Sequence, residues 1–217
     1  KTKAIFVVDI YGHPCNYKEI LKIAKKNKLK VVSDNAQSPG AHYYKKFSTS
    51  IADIGGISLN YHKHIHTGEG GLILTNNKDL YYRCCLIRNH AEAIVGDDKK
   101  IKNISNLVGH NFRFGEIEAA IGLVQLKKLK KLIQRRQYIA KYLTQNLKKY
   151  DWIRLPSVEK NSTHSYYMYP IILNTKKIKI SRNSLINRIR ESGLEGIHKG
   201  YLPSNLLPMF KKKIGFG

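Results

Sequence analysis

Three short stretches of the chain carry residue types that can do chemistry. Asp34-Asn35-Ala36-Gln37 directly follows an apolar run, so a carboxylate and a carboxamide stand near one strand end. Ser58-Leu59-Asn60-Tyr61-His62-Lys63 is followed within a few residues by Gly68-Glu69-Gly70-Gly71, which sets a lysine in a histidine-rich turn with a glycine hinge behind it. Gly109-His110-Asn111-Phe112-Arg113-Phe114-Gly115-Glu116 opens a helical pattern containing Ala119-Ala120-Ile121-Gly122. A lysine amine can act as nucleophile and then as base, and a carboxylate can hold a positively charged partner. Alone, each stretch has an ordinary reading as well: a solvated lysine, an aspartate that caps a helix or forms a turn, a glycine cluster that only turns the chain.

The elements around them decide between these readings. Residues 4–10 (AIFVVDI) form a β-branched apolar run that predicts a strand buried on both faces. Tyr11-Gly12-His13-Pro14 breaks it. Asn16 then caps a helix with Ile20, Leu21, Ile23 and Ala24 at helical spacing, ending near Asn27, a residue type that tolerates left-handed backbone. Residues 28–33 form the next buried strand, with Asp34 at its carboxyl end. Such a βαβ unit predicts a parallel sheet with a right-handed crossover. Ligands of these sheets sit beyond the carboxyl ends of the strands, which is where Asp34 lies.

Further along, residues 54–60 and 72–75 read as strands, and Asn76-Asn77 caps a helix to about residue 87. From Glu116 an apolar helical pattern runs through Leu147, with a bend near Leu132. After Pro156 residues 166–173 read as a strand that Pro170 confines to an edge or bulge. Ser181 caps a helix from Arg182 to Ser192, stopped by Gly193. The expected fold class is α/β, a mainly parallel sheet with flanking helices plus the start of a small α+β C-terminal domain. The expected divisions are residues 1–125, the later part of a large domain, residues 126–154, long connecting helices, and residues 155–217, an incomplete small domain.

Composition narrows the function classes. The 217 residues hold 39 Lys+Arg against 15 Asp+Glu, a formal net charge of +24. That surplus invites nucleic acid, yet the lysines are spread in pairs along the chain and lack the aromatic–basic signature of the usual modules. A solvated polar face accounts for them, and such a surface also draws anionic small molecules such as nucleotide-linked substrates. Cys15, Cys84 and Cys85 have no zinc-type spacing and fit a reducing compartment. His62, His64 and His66 alternate without a matching Cys, Asp or Glu cluster, so no metal is expected. No apolar run approaches the ~20 residues of a membrane helix. The chain reads as cytoplasmic and, beginning Lys-Thr-Lys, as a piece of something longer.

Together and in this order, the three stretches resemble the DegT/DnrJ/StrS sugar-aminotransferase family of pyridoxal phosphate enzymes, which have the type I aminotransferase fold. The family's Asp, two residues and Gln match Asp34 and Gln37. Its Ser, Lys five positions on, and Thr-Gly-Glu-Gly-Gly match Ser58, Lys63 and residues 67–71. Its Gly-x-Asn-x-Arg followed by a Glu-x-x-Ala-Ala-Ile-Gly helix resembles residues 109–122. The resemblance extends from Tyr11-Gly12 to Gly200-Tyr201-Leu202-Pro203.

What the resemblance implies is a transaminase whose Lys63 forms a Schiff base with the cofactor aldehyde and then moves the substrate proton. Desolvation and the flanking histidines are expected to lower the pKa of Lys63. Asp34 would face the protonated pyridine nitrogen, a charge-assisted bond worth roughly 1.5–3 kcal/mol. By resemblance, Gln37 hydrogen-bonds the ring's phenolic oxygen and Ser58 donates to the phosphate. Asn111 reaches the phosphate of the partner subunit's cofactor, which implies a homodimer with a shared active site. Arg113 looks like a structural or substrate-side group near that interface, and His90 either faces substrate or caps a helix. The implied substrate is a keto-sugar, free or nucleotide-linked, with glutamate as amino donor and an amino sugar for a polysaccharide as product. Some relatives carry His in place of the lysine and perform dehydration, so Lys63 points to transamination.

This chain departs from the family in length. It starts one βα unit before Asp34 and lacks the family's Gly/Ser/Thr phosphate turn and stacked aromatic ring, which predicts weak cofactor binding by these residues alone. Two rivals stand beside the enzyme reading: a catalytically inactive or regulatory homologue, and a basic nucleic-acid-binding protein.

Overall fold

The structure is a computed structural model that describes residues 1–92 and 107–214. The Lys99-Lys100 pair lies outside the described residues. By contacts the chain divides into two units. The first comprises Lys1–Lys148 and Leu155–Pro170, and the second Lys149–Arg154 and Ile171–Gly217.

The first unit is built on a four-stranded sheet in the order β1 (Ala4–Val8), β2 (Lys30–Asp34), β5 (Ile54–Ser58), β6 (Gly71–Leu74). β1, β2 and β5 run parallel, and β6 returns antiparallel to β5. Between β1 and β2 lies α1 (Tyr17–Lys26), whose Asn16 side chain accepts from the Glu19 N–H as the sequence predicts. Asn27 does follow the helix, but with φ −101°, and the left-handed residue is Lys28 at φ 53°. A short hairpin, β3 (His42–Tyr43) and β4 (Lys46–Phe47), sits between β2 and β5. α2 (Lys78–Arg88) is capped by Asn77, and α3 (Glu116–Leu147) is one continuous helix of 32 residues.

Burial is one-sided. Val7 and Val31 pack with Tyr17, Ala24, Tyr43 and Ala52 into one core cluster. Successive strand residues point to opposite faces, so Phe6, Val8 and Ile73 turn the other way and remain exposed. The expectation that the first strand is buried on both faces is therefore corrected. An apolar run alone does not reveal which face a helix covers, and here α1 covers one.

The predicted boundary after residue 125 falls inside α3, and Leu155–Pro170 groups with the first unit rather than opening the second. The strand expected over residues 166–173 shrinks to β8 (Ile172–Leu173). Tyr166 has φ 50°, the carbonyls of Tyr166 and Tyr167 are held by Arg136, and Pro170 has no N–H to give a ladder.

In the second unit β7 (Ile153–Arg154) pairs antiparallel with β8. α4 (Arg182–Glu191) is capped by Ser181, with Gly193 at φ 93° just past its end, as the sequence predicts. α5 (Pro208–Lys211) follows. Among the described residues no helix is long and apolar enough to cross a membrane.

Candidate active site

Asp34 ends β2 between Val8 of β1 and Gly56 of β5. One carboxylate oxygen accepts the Ala36 N–H at 2.9 Å, the local bond by which an aspartate folds its own turn. Asp34 and Ser58 line one open cleft of about 410 Å³ with Phe6, Val32, Ile54 and Ile73, the exposed face of the sheet. Gln37 is fixed from the neighbouring turn, because its Oε1 accepts the Tyr11 N–H at 2.7 Å.

Beneath this turn lies a residue the sequence reading counted only as strand. Asp9 is fully buried. Its Oδ1 accepts from the Cys15 N–H and the Tyr17 hydroxyl, and its Oδ2 from the Asn35 Nδ2 and the Ser38 hydroxyl. A buried carboxylate is tolerated only when such donors replace water. Asn35 and Ser38 flank Ala36 and Gln37, so the network anchors the turn that presents Asp34. The signal was present: Asp9 follows Val7-Val8 much as Asp34 follows Val31-Val32 and Ser33.

Lys63 sits in the turn between β5 and β6. The turn is closed by short bonds: Lys63 N–H to the Asn60 carbonyl, Thr67 N–H to the Leu59 carbonyl, and Leu59 N–H to the Gly70 carbonyl. Gly68 at φ 87° supplies the left-handed step this return needs. Lys63 is half-buried, and its Nζ stands 4.8 Å from the centre of the Tyr167 ring. Burial lowers its pKa below the usual lysine range, while the Asp34 charge opposes that shift, so amine and carboxylate lie within electrostatic reach. The histidines do not lower it as expected. His62 and His66 are exposed, and buried His64 is neutral, its own pKa pushed down to about 4, chiefly by burial.

The other wall of this turn is residues 164–167, whose carbonyls are each claimed by a side chain. Gln137 donates to His164 O, His64 Nε2 to Ser165 O, and Arg136 to the carbonyls of Tyr166 and Tyr167. Ser165, fully buried, gives its N–H and hydroxyl to the Gly12 carbonyl and also reaches the Gln37 carbonyl. Since a carbonyl only accepts, the His64 proton resides on Nε2, which leaves Nδ1 as an acceptor. That buried Nδ1 has no partner, at a cost of roughly 1–3 kcal/mol. Nothing in the local sequence of residues 164–167 announces these long-range bonds.

The remaining predicted residues form a separate cluster. Asn111 bridges to Asn89, the Arg113 guanidinium donates to Asn89 Oδ1 at 2.6 Å, and the His90 N–H donates to the His110 carbonyl. His90 follows α2 with φ 59°. The structure thus brings Asp34, Gln37, Ser58 and Lys63 to one end of the sheet, and holds Asn111 and Arg113 on Asn89, and His90 on His110, in the segments that follow α2 and precede α3.

The sequence profile of the DegT/DnrJ/EryC1/StrS aminotransferase family matches residues 1–215. The GDP-perosamine synthase of Escherichia coli O157:H7 is 32% identical over 213 residues, covering 98% of this chain and 56% of that protein. The Helicobacter pylori aminotransferase PseC, of pseudaminic acid biosynthesis, superposes with a TM-score of 0.84 at 27% identity, over 100% of this chain and 57% of that one. The E. coli GDP-4-keto-6-deoxy-D-mannose-3-dehydratase, solved with bound hydrated PLP, gives a TM-score of 0.76 at 29% identity, over 89% and 52%. The chain spans about half the length of the relatives it matches.

Proposed function

Because this chain belongs to the DegT/DnrJ/EryC1/StrS aminotransferase family, we propose that it is the lysine-bearing part of a pyridoxal phosphate-dependent transaminase of keto-sugars, free or nucleotide-linked. Glutamate is the proposed amino donor, and the product an amino sugar for polysaccharide synthesis. Residues 149–154 and 171–217 are assigned to the start of the small domain. The reading includes a cytoplasmic homodimer with a shared active site. The exposed apolar side chains of α3, Ile117, Ile121 and Val124, with Phe112 just before it, support a second copy as their cover.

The observation that carries the proposal is the half-buried Lys63 within electrostatic reach of Asp34. The donor set suits the cofactor: a carboxylate for the pyridine nitrogen, a carboxamide at Gln37 for the phenolic oxygen, and a hydroxyl at Ser58 for the phosphate. When bound, pyridoxal phosphate supplies an electron sink for the substrate carbon that loses a proton. Asp34 keeps the ring nitrogen protonated. Lys63, its amine partly stripped of water, is the covalent attachment point and the base that moves the proton. Asn111 is assigned to the phosphate of the partner's site, and Arg113 and His90 to the substrate side.

Titration with pyridoxal phosphate tests this. A visible absorbance band with the protein that disappears in Lys63→Ala supports the proposal. A band of equal strength in Lys63→Ala overturns it.

A further inference from the structure

We propose that His64 is the positioning residue of Lys63: its Nε2–H, donated to the Ser165 carbonyl, locks the lysine-bearing turn onto residues 164–167 and so sets where the amine stands. The inference rests on the reading of Lys63 as the cofactor-binding amine.

Several observations converge on the ring. His64 adjoins Lys63, is 5% exposed, and makes its 2.9 Å bond to a residue 101 positions away. The acceptor belongs to a rigid partner. Arg136 and Gln137 of α3 hold the neighbouring carbonyls, and Ser165 is bound in turn to Gly12 and Gln37. Through Ser165 the lysine turn is therefore tied to the two turns that carry Tyr11 and Gln37. Two positions on, Tyr167 presents its ring to the Lys63 ammonium.

Packing alone does not account for a histidine here. An apolar side chain would fill the space without burying the unpartnered Nδ1. The ring also brings no charge, since its pKa of about 4 leaves it neutral wherever a lysine titrates. What it adds is one directed donor. The charged and titratable groups around the amine and the ring are Asp34 from β2, Arg136 from α3, and His164 and Tyr167 from the clamped segment. None of these is removed by substituting His64, so a change in the amine reports on its position.

The test uses the full chain without cofactor. Competitive acetylation with acetic anhydride across a pH series, read on the Lys63 peptide by mass spectrometry, gives the titration midpoint of that amine. Wild type is compared with His64→Gln, whose amide nitrogen reaches the place of Nε2, and with His64→Asn, whose amide stops short. Released to water, Lys63 in His64→Asn should titrate higher, by about half a pH unit, a threefold change in proton affinity. His64→Gln should keep the wild-type midpoint. Equal midpoints in all three proteins, or equal shifts in both variants, overturn the proposal. The broader reading fails separately, if pyridoxal phosphate produces no Lys63-dependent band in wild type.

Discussion

The backbone N–H of Asp9 donates to the carbonyl of Asp34 over 3.0 Å, so the acid closing β2 hangs on the acid that follows β1. Their side chains divide the labour. Asp9 is fully buried among four donors and holds the turn, whereas Asp34 stands half-buried at the mouth of the cleft, with one oxygen folding the turn.

Removing the buried acid should be severe. Asp9→Ala takes the acceptor from the Cys15 N–H and the Tyr17 hydroxyl and leaves Asn35 and Ser38 only their longer contacts, a loss of about 3 kcal/mol or more. Tyr17→Phe removes one of those donors and should cost only about 1 kcal/mol. Urea midpoints of the two variants check the ranking, which reverses if the carboxylate is not the hub.

Gly12 is the second sensitive point. Its φ is 101°, and a Cβ there would lie 2.6 Å from Ser165 Oγ and 2.9 Å from Tyr166 N. Gly12→Ala should lower stability by about 1–3 kcal/mol from backbone strain alone, with the clash adding to it. The same unfolding series measures it.

Acid should unfold the protein through its buried histidines. His64 and His164 titrate near pH 4 instead of 6.5, chiefly because burial disfavours their charged forms. The unfolded chain therefore binds protons first as pH falls. Their contribution is intact above pH 6.5 and is lost between 6.5 and 4, at up to about 1.4 kcal/mol per pH unit for each ring. The low pKa of Asp53, held by the Val31 N–H and Lys30, costs stability only at lower pH, around and below its ordinary 3.8. Stability measured from pH 7 to 4.5 should fall less steeply in His164→Phe than in wild type.

Local signals made much of the fold legible. Asn16, Asn77 and Ser181 mark helix starts because a cap acts on residues a turn away, and the βαβ pattern gives the parallel β1–β2 pair. Asp34 and Lys63 could be singled out as candidates because strand ends and glycine-hinged turns are written in adjacent residues. Residues 166–171 were misread as strand because the partner of the Tyr166 and Tyr167 carbonyls, Arg136, lies far off in sequence. Asp9 was passed over for a related reason: its four donors come from Cys15, Tyr17, Asn35 and Ser38, and only the folded sheet gathers them.

Attachment of the cofactor at Lys63 is the claim everything else serves. Borohydride reduction of the protein mixed with pyridoxal phosphate, followed by peptide mass mapping, reads it directly. A pyridoxyl group concentrated on the Lys63 peptide, and weakened in Asp34→Ala, is the predicted result. Label spread over the surface lysines with Lys63 no richer than the rest would contradict it.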